Sequence, residues 1–283
     1  MKVRLTTLTE NTVGGKGRLV AEHGLSILVE TPNQKILFDT GKSFTAVHNA
    51  RILGVDLRAV DAIVLSHGHH DHTGGLKDAL REAGGPDREI PVVAHPGAFS
   101  VRYSVEKDER RRYTGIPHVR EELESLGAQF RLERGPTEVA EGVTTTGEVP
   151  RITLFEQLLG GRRVVLDGEG WRRDEILDDQ ALVVSTEKGL VVVLGCAHAG
   201  VINTLECARR VTGEERVHAV IGGMHLLSAP QERVEQTVRA LKDLGIERLG
   251  VSHCTGLGVA ARLFHEFGES FFFNSVGTIT EFD

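Results

Sequence analysis

Short runs of Val, Ile and Leu alternate with amphipathic stretches along the first third of this chain. Uninterrupted apolar runs of this length predict buried strands, whereas apolar residues three or four positions apart predict helices. The predicted strands are 3–9, 26–30, 35–39, 62–66 and 90–94, and the predicted helices are 45–53 and 76–83.

The last third repeats this pattern, while the middle of the chain does not. The predicted strands there are 181–185, 190–194, 217–221, 248–251 and 270–274, and the predicted helices are 201–211, 231–244 and 259–267. Two groups of strands, each followed by strand–helix alternation, indicate an α/β layered fold. Residues 100–172 have weak periodicity, so they predict an insertion or cap within one domain that spans 1–283.

The composition narrows the classes of partner. The chain has 283 residues and a formal net charge of −7, which argues against a general nucleic-acid binder because such proteins usually present a basic face. No apolar run reaches the roughly 18–20 residues of a membrane span, and the first residues lack the apolar core of a signal peptide. We therefore expect a cytoplasmic protein with no membrane contact.

The chain contains three cysteines, Cys196, Cys207 and Cys254. An odd and sparse set does not form a disulfide framework, so reduced thiols are expected. Cys196 and Cys254 stand beside histidines, but side-chain alternation along the backbone predicts that they point elsewhere, as small packing groups.

The histidines give the strongest indication of function, because many of the 13 follow predicted strands. Five apolar runs end in one, and these are His67, His95, His198, His225 and His253. Ligands of open α/β sheets bind beyond the carboxyl ends of the strands. Separate strand ends are therefore predicted to bring several imidazoles to one cleft.

The densest cluster is the segment His67-Gly68-His69-His70-Asp71-His72. Neutral imidazole and carboxylate groups suit Zn²⁺ and other borderline divalent metals. His67 and His69 can point the same way from extended backbone, and Asp71 and His72 can address a second position from the following turn. One short loop cannot surround two metals, so ligands from distant strand ends are needed.

This loop after a strand resembles the signature of the metallo-β-lactamase-fold superfamily, and the resemblance runs from Phe38-Asp39-Thr40-Gly41 to His253. It implies an αββα sandwich with two divalent metal ions at one edge, with Zn²⁺ preferred and Mn²⁺ or Fe²⁺ as alternatives. By position, the implied ligands are His67, His69 and His198 for one metal and Asp71, His72 and His253 for the other. Asp39 is interpreted either as a carboxylate that orients a ligand imidazole or as a turn residue.

The chain departs from the superfamily at one position. An Asp that bridges both metals is common there, but the corresponding segment Gly222-Gly223-Met224-His225 has no carboxylate. His225 is open to three interpretations, as a seventh metal ligand, as a group that contacts substrate, or as a structural residue.

A closer resemblance is to the subfamily that includes the archaeal dihydropterin–ribofuranosylaminobenzene phosphate synthase. The segments that carry it are 66–76, 146–151, 179–182, 195–200, 222–226 and 252–256. This resemblance implies a transferase in which the metals polarise a departing pyrophosphate while an arylamine attacks.

The leading hypothesis is a metal-dependent hydrolase with a binuclear site and a metal-activated hydroxide. Its substrate would be a small anionic phosphoester, phosphodiester or lactone, with Asp71 orienting the nucleophile and His225 steadying the developing oxyanion. The synthase-type transferase is one alternative. A metal-binding signalling protein without turnover is the other.

Further candidates for substrate contact lie outside this loop. Arg151 could pair with a substrate phosphate, or it could form a structural pair with Glu148. His95 is interpreted either as a residue that lines a cavity or as an ordinary loop residue. The same two interpretations apply to His23. The basic run 107–112 predicts a solvated helix face, with capture of an anionic substrate as the other interpretation.

Overall fold

The computed structural model describes residues 1–15, 17–158, 162–168 and 170–283, and it contains eighteen strands and seven α-helices. The strands are β1 (Val3–Thr9), β2 (Ser26–Glu30), β3 (Lys35–Phe38), β4 (Ala62–Val64), β5 (Ile90–Ala94), β6 (Val101–Val105), β7 (Arg111–Tyr113), β8 (Ala128–Leu132), β9 (Glu138–Ala140), β10 (Val143–Thr145), β11 (Arg163–Asp167), β12 (Gly170–Arg173), β13 (Leu182–Thr186), β14 (Gly189–Leu194), β15 (Val217–Gly222), β16 (Arg248–Val251), β17 (Phe271–Phe273) and β18 (Ile279–Phe282). The helices are α1 (Thr45–Leu53), α2 (His70–Thr73), α3 (Leu76–Ala83), α4 (Arg120–Glu124), α5 (Val201–Thr212), α6 (Gln231–Asp243) and α7 (Leu257–Phe267).

Two seven-stranded sheets form the centre of the fold. The first has the order β18-β1-β2-β3-β4-β5-β8, and the second has the order β17-β16-β15-β14-β13-β10-β9. Strands β3, β4, β5 and β8 are parallel neighbours in the first sheet, and β14 to β17 are parallel neighbours in the second. Loops that leave parallel strands therefore start at a common edge of each sheet.

Alternate residues of the central strands pack into two different hydrophobic cores, one on each face of the sheet. In β14, Val191 and Val193 pack in a cluster with residues of the first sheet such as Val29, so this cluster lies between the sheets. Leu190 and Val192 of the same strand pack in a cluster with α5, α6 and α7. A strand that is buried on both faces must be apolar throughout, which is why its sequence shows no alternation.

The first sheet has the same arrangement, with α1, α3 and α4 on its outer face. Leu37 and Ile63 from this sheet cluster with Ala46 of α1, Leu80 of α3 and Leu123 of α4. Helices thus cover the outer face of each sheet, and the predicted αββα sandwich is confirmed.

Residues 100–172 do not form a single inserted unit. Strand β8 extends the first sheet and β9–β10 extend the second, whereas β12-β11-β6-β7 form a separate four-stranded sheet. Weak periodicity in this segment reflects short strands that expose much of their surface, as all three residues of β7 do. The helix predicted over 107–112 is wrong, because these residues form the turn and second strand of the β6–β7 hairpin.

Two smaller differences concern the ends of the sheets. Strand β18, which pairs with β1 at the edge of the first sheet, was not among the predicted strands. The strand predicted over 62–66 ends at Val64, so Leu65 and Ser66 already belong to the loop that leads to the histidines.

In the described part of the chain, no helix combines the length and hydropathy that crossing a membrane requires.

Candidate metal centre

The carboxyl ends of four strands meet at one edge of the sandwich. His67 follows β4, His198 follows β14, His225 follows β15 and His253 follows β16. His198, His225 and His253 line one cavity of about 270 Å³ together with His69. The ring of His198 contacts those of His67, His69 and His225. Four of the five strand-end histidines therefore lie close together at this edge, as the sequence predicts.

The first set of nitrogens comes from His67, His69 and His198. Nε2 of His67 lies 2.8 Å from Nδ1 of His69 and 3.3 Å from Nε2 of His198. Two nitrogens that bind one tetrahedral metal at 2.0–2.1 Å stand about 3.3 Å apart, so the spacing suits a shared cation. Burial lowers the pKa of all three imidazoles well below the usual range, which keeps them neutral and able to bind metal.

The second set comes from Asp71, His72 and His253. Nε2 of His72 lies 3.2 Å from Nε2 of His253, and Oδ2 of Asp71 lies 3.6 Å from the latter. His23 joins this set, because its Nε2 lies 3.2 Å from Oδ2 of Asp71. Burial lowers the pKa of His253 to about 4. Burial works against ionisation of Asp71, but the contact with His23 and the neighbouring histidines hold its pKa well below the usual range.

Asp39 contacts both sets, His72 directly and His67 through the hydroxyl of Ser66. It is fully buried, and its Oδ2 lies 2.7 Å from Nδ1 of His72. Ser66 donates its hydroxyl to Oδ2 and its backbone N–H to Oδ1 of Asp39. Despite the opposing effect of burial, this carboxylate raises the pKa of His72 to about 9. The contacts favour the interpretation of Asp39 as the group that orients a ligand imidazole.

The same carboxylate also sets the tautomer of His67. A carboxylate only accepts hydrogen bonds, so Ser66 gives its proton to Asp39, and its Oγ is free to accept from Nδ1 of His67 at 2.9 Å. Nε2 of His67 is then unprotonated and faces His69 and His198. One buried carboxylate therefore fixes two imidazoles through their Nδ1 atoms, so that Nε2 of His67 faces the first set and Nε2 of His72 faces the second.

Left-handed backbone conformations aim several of these groups. Among the described non-glycine residues with positive φ are Asp39 at 56°, Ala197 at 53°, His225 at 50° and His253 at 53°. Each such residue costs of the order of 1 kcal/mol, so their concentration at one edge marks a constrained site. Nothing in the local sequence signals these conformations.

A further ion pair supports the histidine loop and was not predicted. The backbone N–H of Gly68 donates to Oδ2 of Asp178 at 2.7 Å, and Arg102 donates to Oδ1 at 3.0 Å. A Cβ at Gly68 would lie 2.0 Å from the carbonyl oxygen of Ala98, so only glycine fits. Asp178 and Arg102 come from the loop before β13 and from β6, which no sequence spacing connects to the histidine loop.

Three cationic side chains line the more exposed part of the cavity, which we call its mouth. Lys42, Arg112 and Arg163 line it together with the histidines, and the two arginines come from the separate four-stranded sheet. Arg112 lies 3.4 Å from the exposed Glu106, and Arg163 has no ion-pair partner among the described residues. Burial is the main cause of the lowered pKa of His69, and the guanidinium of Arg163 adds to it.

Comparison with known proteins places the chain in a family. A model of the metallo-β-lactamase superfamily matches residues 19–155. A protein of Methanocaldococcus jannaschii, described as a 7,8-dihydropterin-6-methyl-4-(β-D-ribofuranosyl)-aminobenzene-5'-phosphate synthase, is 34% identical over 99% of this chain and 97% of its own length. This chain belongs to the metallo-β-lactamase superfamily.

Solved structures agree with this assignment. The crystal structure of Tm1679, a metal-dependent hydrolase of the β-lactamase superfamily, superposes with a TM-score of 0.83 at 32% identity, over 99% of both chains. The metallo-β-lactamase-fold protein YhfI of Bacillus subtilis has a TM-score of 0.59 at 14% identity, over 98% of this chain and 99% of its own, and shares the fold. The expected resemblance to the superfamily is therefore confirmed.

His225 follows β15 and lies beside His198. Its ring centroid is 4.2 Å from that of His198, and it lines the cavity. Its Nδ1 is buried and has no hydrogen-bond partner among the described residues. An unpaired buried nitrogen fits both a ligand and a substrate-contact role, and it argues against a purely structural one.

The prediction for the cysteines beside the histidines is wrong. Cys196 and Cys254 both line the cavity, and Sγ of Cys196 lies 3.2 Å from Nε2 of His72. The prediction assumed extended backbone, but Ala197, between Cys196 and His198, has a φ of 53°, so side chains do not alternate there. The three described cysteines are free and buried, in agreement with the expected reduced thiols.

Three of the candidates for substrate contact, His95, Glu148 and Arg151, lie outside this cavity. Nε2 of His95 lies 2.8 Å from Oε1 of Glu148, in a region that borders a separate cavity of about 110 Å³. Glu148 pairs with Arg134 rather than with Arg151, which donates to the carbonyl oxygen of Glu175. The predicted structural pair between Glu148 and Arg151 is therefore absent, and neither residue contacts the histidine cavity.

Replacing Asp179 with Asn is expected to stabilise the metal-free protein more at pH 8 than at pH 5. Burial raises the pKa of Asp179 to about 7, although Oδ2 accepts the N–H of Ala199. The folded protein keeps this proton up to about pH 7 while the unfolded chain loses it near pH 4, so stability falls with pH across that window. Asn keeps the acceptor and cannot ionise.

Urea unfolding at the two pH values measures this difference. The advantage of Asp179→Asn over the wild type should grow by a few kcal/mol from pH 5 to pH 8. The exposed Asp243→Asn variant is the control and should show no such growth. Equal differences for Asp179→Asn at both pH values would contradict the buried, protonated carboxyl.

Proposed function

We propose that this protein is a metalloenzyme that joins an arylamine to a small phosphorylated electrophile with release of pyrophosphate. The observation that carries the proposal is the cavity itself, with two sets of potential metal-ligand atoms whose members lie 2.8–3.6 Å from a neighbour and with three cationic side chains at its mouth. The 34% identity with the Methanocaldococcus jannaschii synthase over nearly the whole chain supports transfer as the reaction.

The donor atoms suit two divalent cations. We infer that His67, His69 and His198 hold one and that Asp71, His72 and His253 hold the other. Neutral imidazoles with one carboxylate favour zinc, and manganese or iron would also suit this set. When bound, the cations would supply positive charge that stabilises the departing pyrophosphate.

The side chains at the mouth would bind and orient the phosphates. Arg163 has no ion-pair partner in the part of the chain that the structure describes, so its guanidinium fork can donate two parallel hydrogen bonds to one phosphate. Lys42 and Arg112, which line the same cavity, would hold the remaining charge. These contacts would place the carbon that carries the pyrophosphate beside the two sets of ligand atoms and exclude water from it.

The transfer step breaks one bond and forms one. The arylamine nitrogen attacks the methylene carbon, the C–O bond to the pyrophosphate breaks, and the pyrophosphate leaves with the electron pair. His225 is our candidate to accept the proton that the amine loses, because it lines the cavity and its Nδ1 has no hydrogen-bond partner among the described residues. Asp71, ionised beside His253, would orient the amine.

Hydrolysis is the second candidate. The similarity to Tm1679, described as a metal-dependent hydrolase, favours it at 32% identity. Here water would take the place of the arylamine, and the substrate would be a small anionic phosphoester, phosphodiester or lactone. The two sets of ligand atoms and the mouth of the cavity would serve both reactions in the same way.

One assay separates these functions. Metal-loaded protein is incubated with a dihydropterin-methyl pyrophosphate, with and without ribofuranosylaminobenzene 5'-phosphate, and the release of pyrophosphate and the joined product are measured. Transfer predicts release that depends on the arylamine, together with the joined product. Release without the arylamine supports hydrolysis instead. No turnover here or on an ester, lactone and phosphodiester panel, with zinc, manganese or iron, would contradict both and favour a signalling protein.

Replacing Arg163 with Ala is expected to raise KM for the phosphorylated substrate about 10- to 100-fold, because a charged hydrogen bond contributes about 1.5–3 kcal/mol. The value of kcat should change less than KM, since the hydrogen bonds from Arg163 to the phosphate are already made in the bound substrate. The matched control is the exposed Arg173→Ala on β12 of the same sheet. Steady-state kinetics that show an unchanged KM for Arg163→Ala would exclude this phosphate contact.

A further inference from the structure

A thiol lies between the two sets of histidines, and the proposed function gives it no role. Cys196 is only 3% exposed, and its Sγ lies 3.2 Å from Nε2 of His72. The ligand atoms of Cys196, His67 and His198 lie within 4.8 Å of one another, and so do those of Cys196, His72 and His253. Cys196 therefore belongs to both sets at once.

The backbone is packed closely where β14 and β15 end, beside the thiol of Cys196. A Cβ at Gly223 would lie 2.5 Å from the carbonyl oxygen of Gly195 and 2.7 Å from Sγ of Cys254. A Cβ at Gly195 would lie 2.1 Å from Oγ of Ser66. The ends of β14 and β15 thus approach too closely for a side chain at position 223. A carboxylate cannot be accommodated there, and the thiol of Cys196 is the group that lies between the histidine sets.

We propose that Cys196 binds metal as a thiolate that is shared between the two positions. On binding, the sulfur gives an electron pair to the metal and its proton goes to solvent, so no oxidant or reductant is needed. Thiolate is among the preferred ligands of zinc and supplies negative charge among otherwise neutral imidazoles. The inference rests on the proposed metal binding and adds a ligand of a different chemical kind.

The other two cysteines provide controls. Sγ of Cys254 accepts the backbone N–H of His225 at 3.2 Å, and its candidate ligand group includes Cys196 and His225 but neither histidine set. Cys207 on α5 is as buried as Cys196, at 3%, yet its Sγ contacts the carbonyl oxygen of Thr146. Replacement of Cys207 by Ser therefore controls for the loss of a buried thiol.

Cobalt spectroscopy tests the proposal without an activity assay. Cobalt-loaded wild type, Cys207→Ser and Cys254→Ser should show near-ultraviolet charge-transfer absorption from thiolate to cobalt. Cys196→Ser should lose this band, keep visible absorption from histidine-bound cobalt, and bind cobalt at least 10-fold more weakly. An unchanged band in Cys196→Ser, or no band in the loaded wild type, would overturn the proposal.

A second measurement covers the case in which Cys196→Ser fails to fold. In the double variant Cys207→Ser/Cys254→Ser, Cys196 is the only thiol left. X-ray absorption of this zinc-loaded variant should show sulfur at about 2.3 Å from zinc. Zinc surrounded by nitrogen and oxygen alone would overturn the thiolate but leave metal binding intact. Failure of the wild type to take up either metal would contradict the proposed function as well.

Discussion

Replacing His198 with Ala should lower kcat/KM at least about 1,000-fold, because the cations supply several kcal/mol and each 1.4 kcal/mol is a factor of ten. Nε2 of His198 lies 3.3 Å from Nε2 of His67, and Cys196 is the other residue after β14 in the candidate metal group that the described residues form with His67. The variant should also lose one of two bound metals. Kinetics and elemental analysis of the same preparation measure both effects.

The control for this variant is His265→Ala. His265 is exposed on α7, outside the histidine cavity, and its loss should change neither the metal content nor kcat/KM. A His198→Ala variant that keeps two metals and wild-type activity would show that this imidazole is not a ligand. Equal losses in both variants would point to general destabilisation.

Replacing Asp39 with Ala is the change with the second largest expected effect. It removes the acceptor for the N–H of Ser66 and the partner of Nδ1 of His72, both buried. Stability should fall by about 2–4 kcal/mol, since buried polar groups without partners cost about 1–3 kcal/mol each. Metal affinity should fall about 10- to 100-fold, because His72 loses the group that fixes its tautomer.

The Asp39→Asn variant separates stability from metal binding. An amide oxygen can still accept the N–H of Ser66, so this variant should unfold at a denaturant concentration nearer to that of the wild type. Its NH₂ group cannot accept from Nδ1 of His72, which favours the tautomer that carries the proton on Nε2. Competition with a chelator should therefore show weak metal binding in both variants, and wild-type affinity in Asp39→Asn would refute the tautomer argument.

The sandwich could be predicted because its central strands are buried on both faces. A strand such as β14 faces another sheet on one side and helices on the other, so it is a continuous apolar run that local sequence reveals. Strands β7 and β18 are short and largely exposed, and their positions depend on pairing with distant strands. Local pattern carries no information on such pairing, which is why the middle segment was assigned too simply.

The ligands in the histidine loop are predictable because they are neighbours in sequence. Their supports come from elsewhere: Asp178 and Arg102 hold the loop through tertiary contacts that no spacing reveals. The prediction for the cysteines failed because alternation was applied to residues near a left-handed turn at Ala197. His95, Glu148 and Arg151 lie outside the histidine cavity, and the arginines that line it, Arg112 and Arg163, come from the separate sheet. Arg112 belongs to the basic run 107–112, for which capture of an anionic substrate is one interpretation, whereas no sequence pattern indicates the placement of Arg163.

The metal content of the purified protein tests the central claim most directly. Elemental analysis of the wild type should find two divalent metals per chain. Asp71→Ala should retain one, because its carboxylate belongs to the set with His72 and His253, while the set with His67 and His198 is intact. A wild type without divalent metal, or an unchanged metal content in Asp71→Ala, would contradict the binuclear centre.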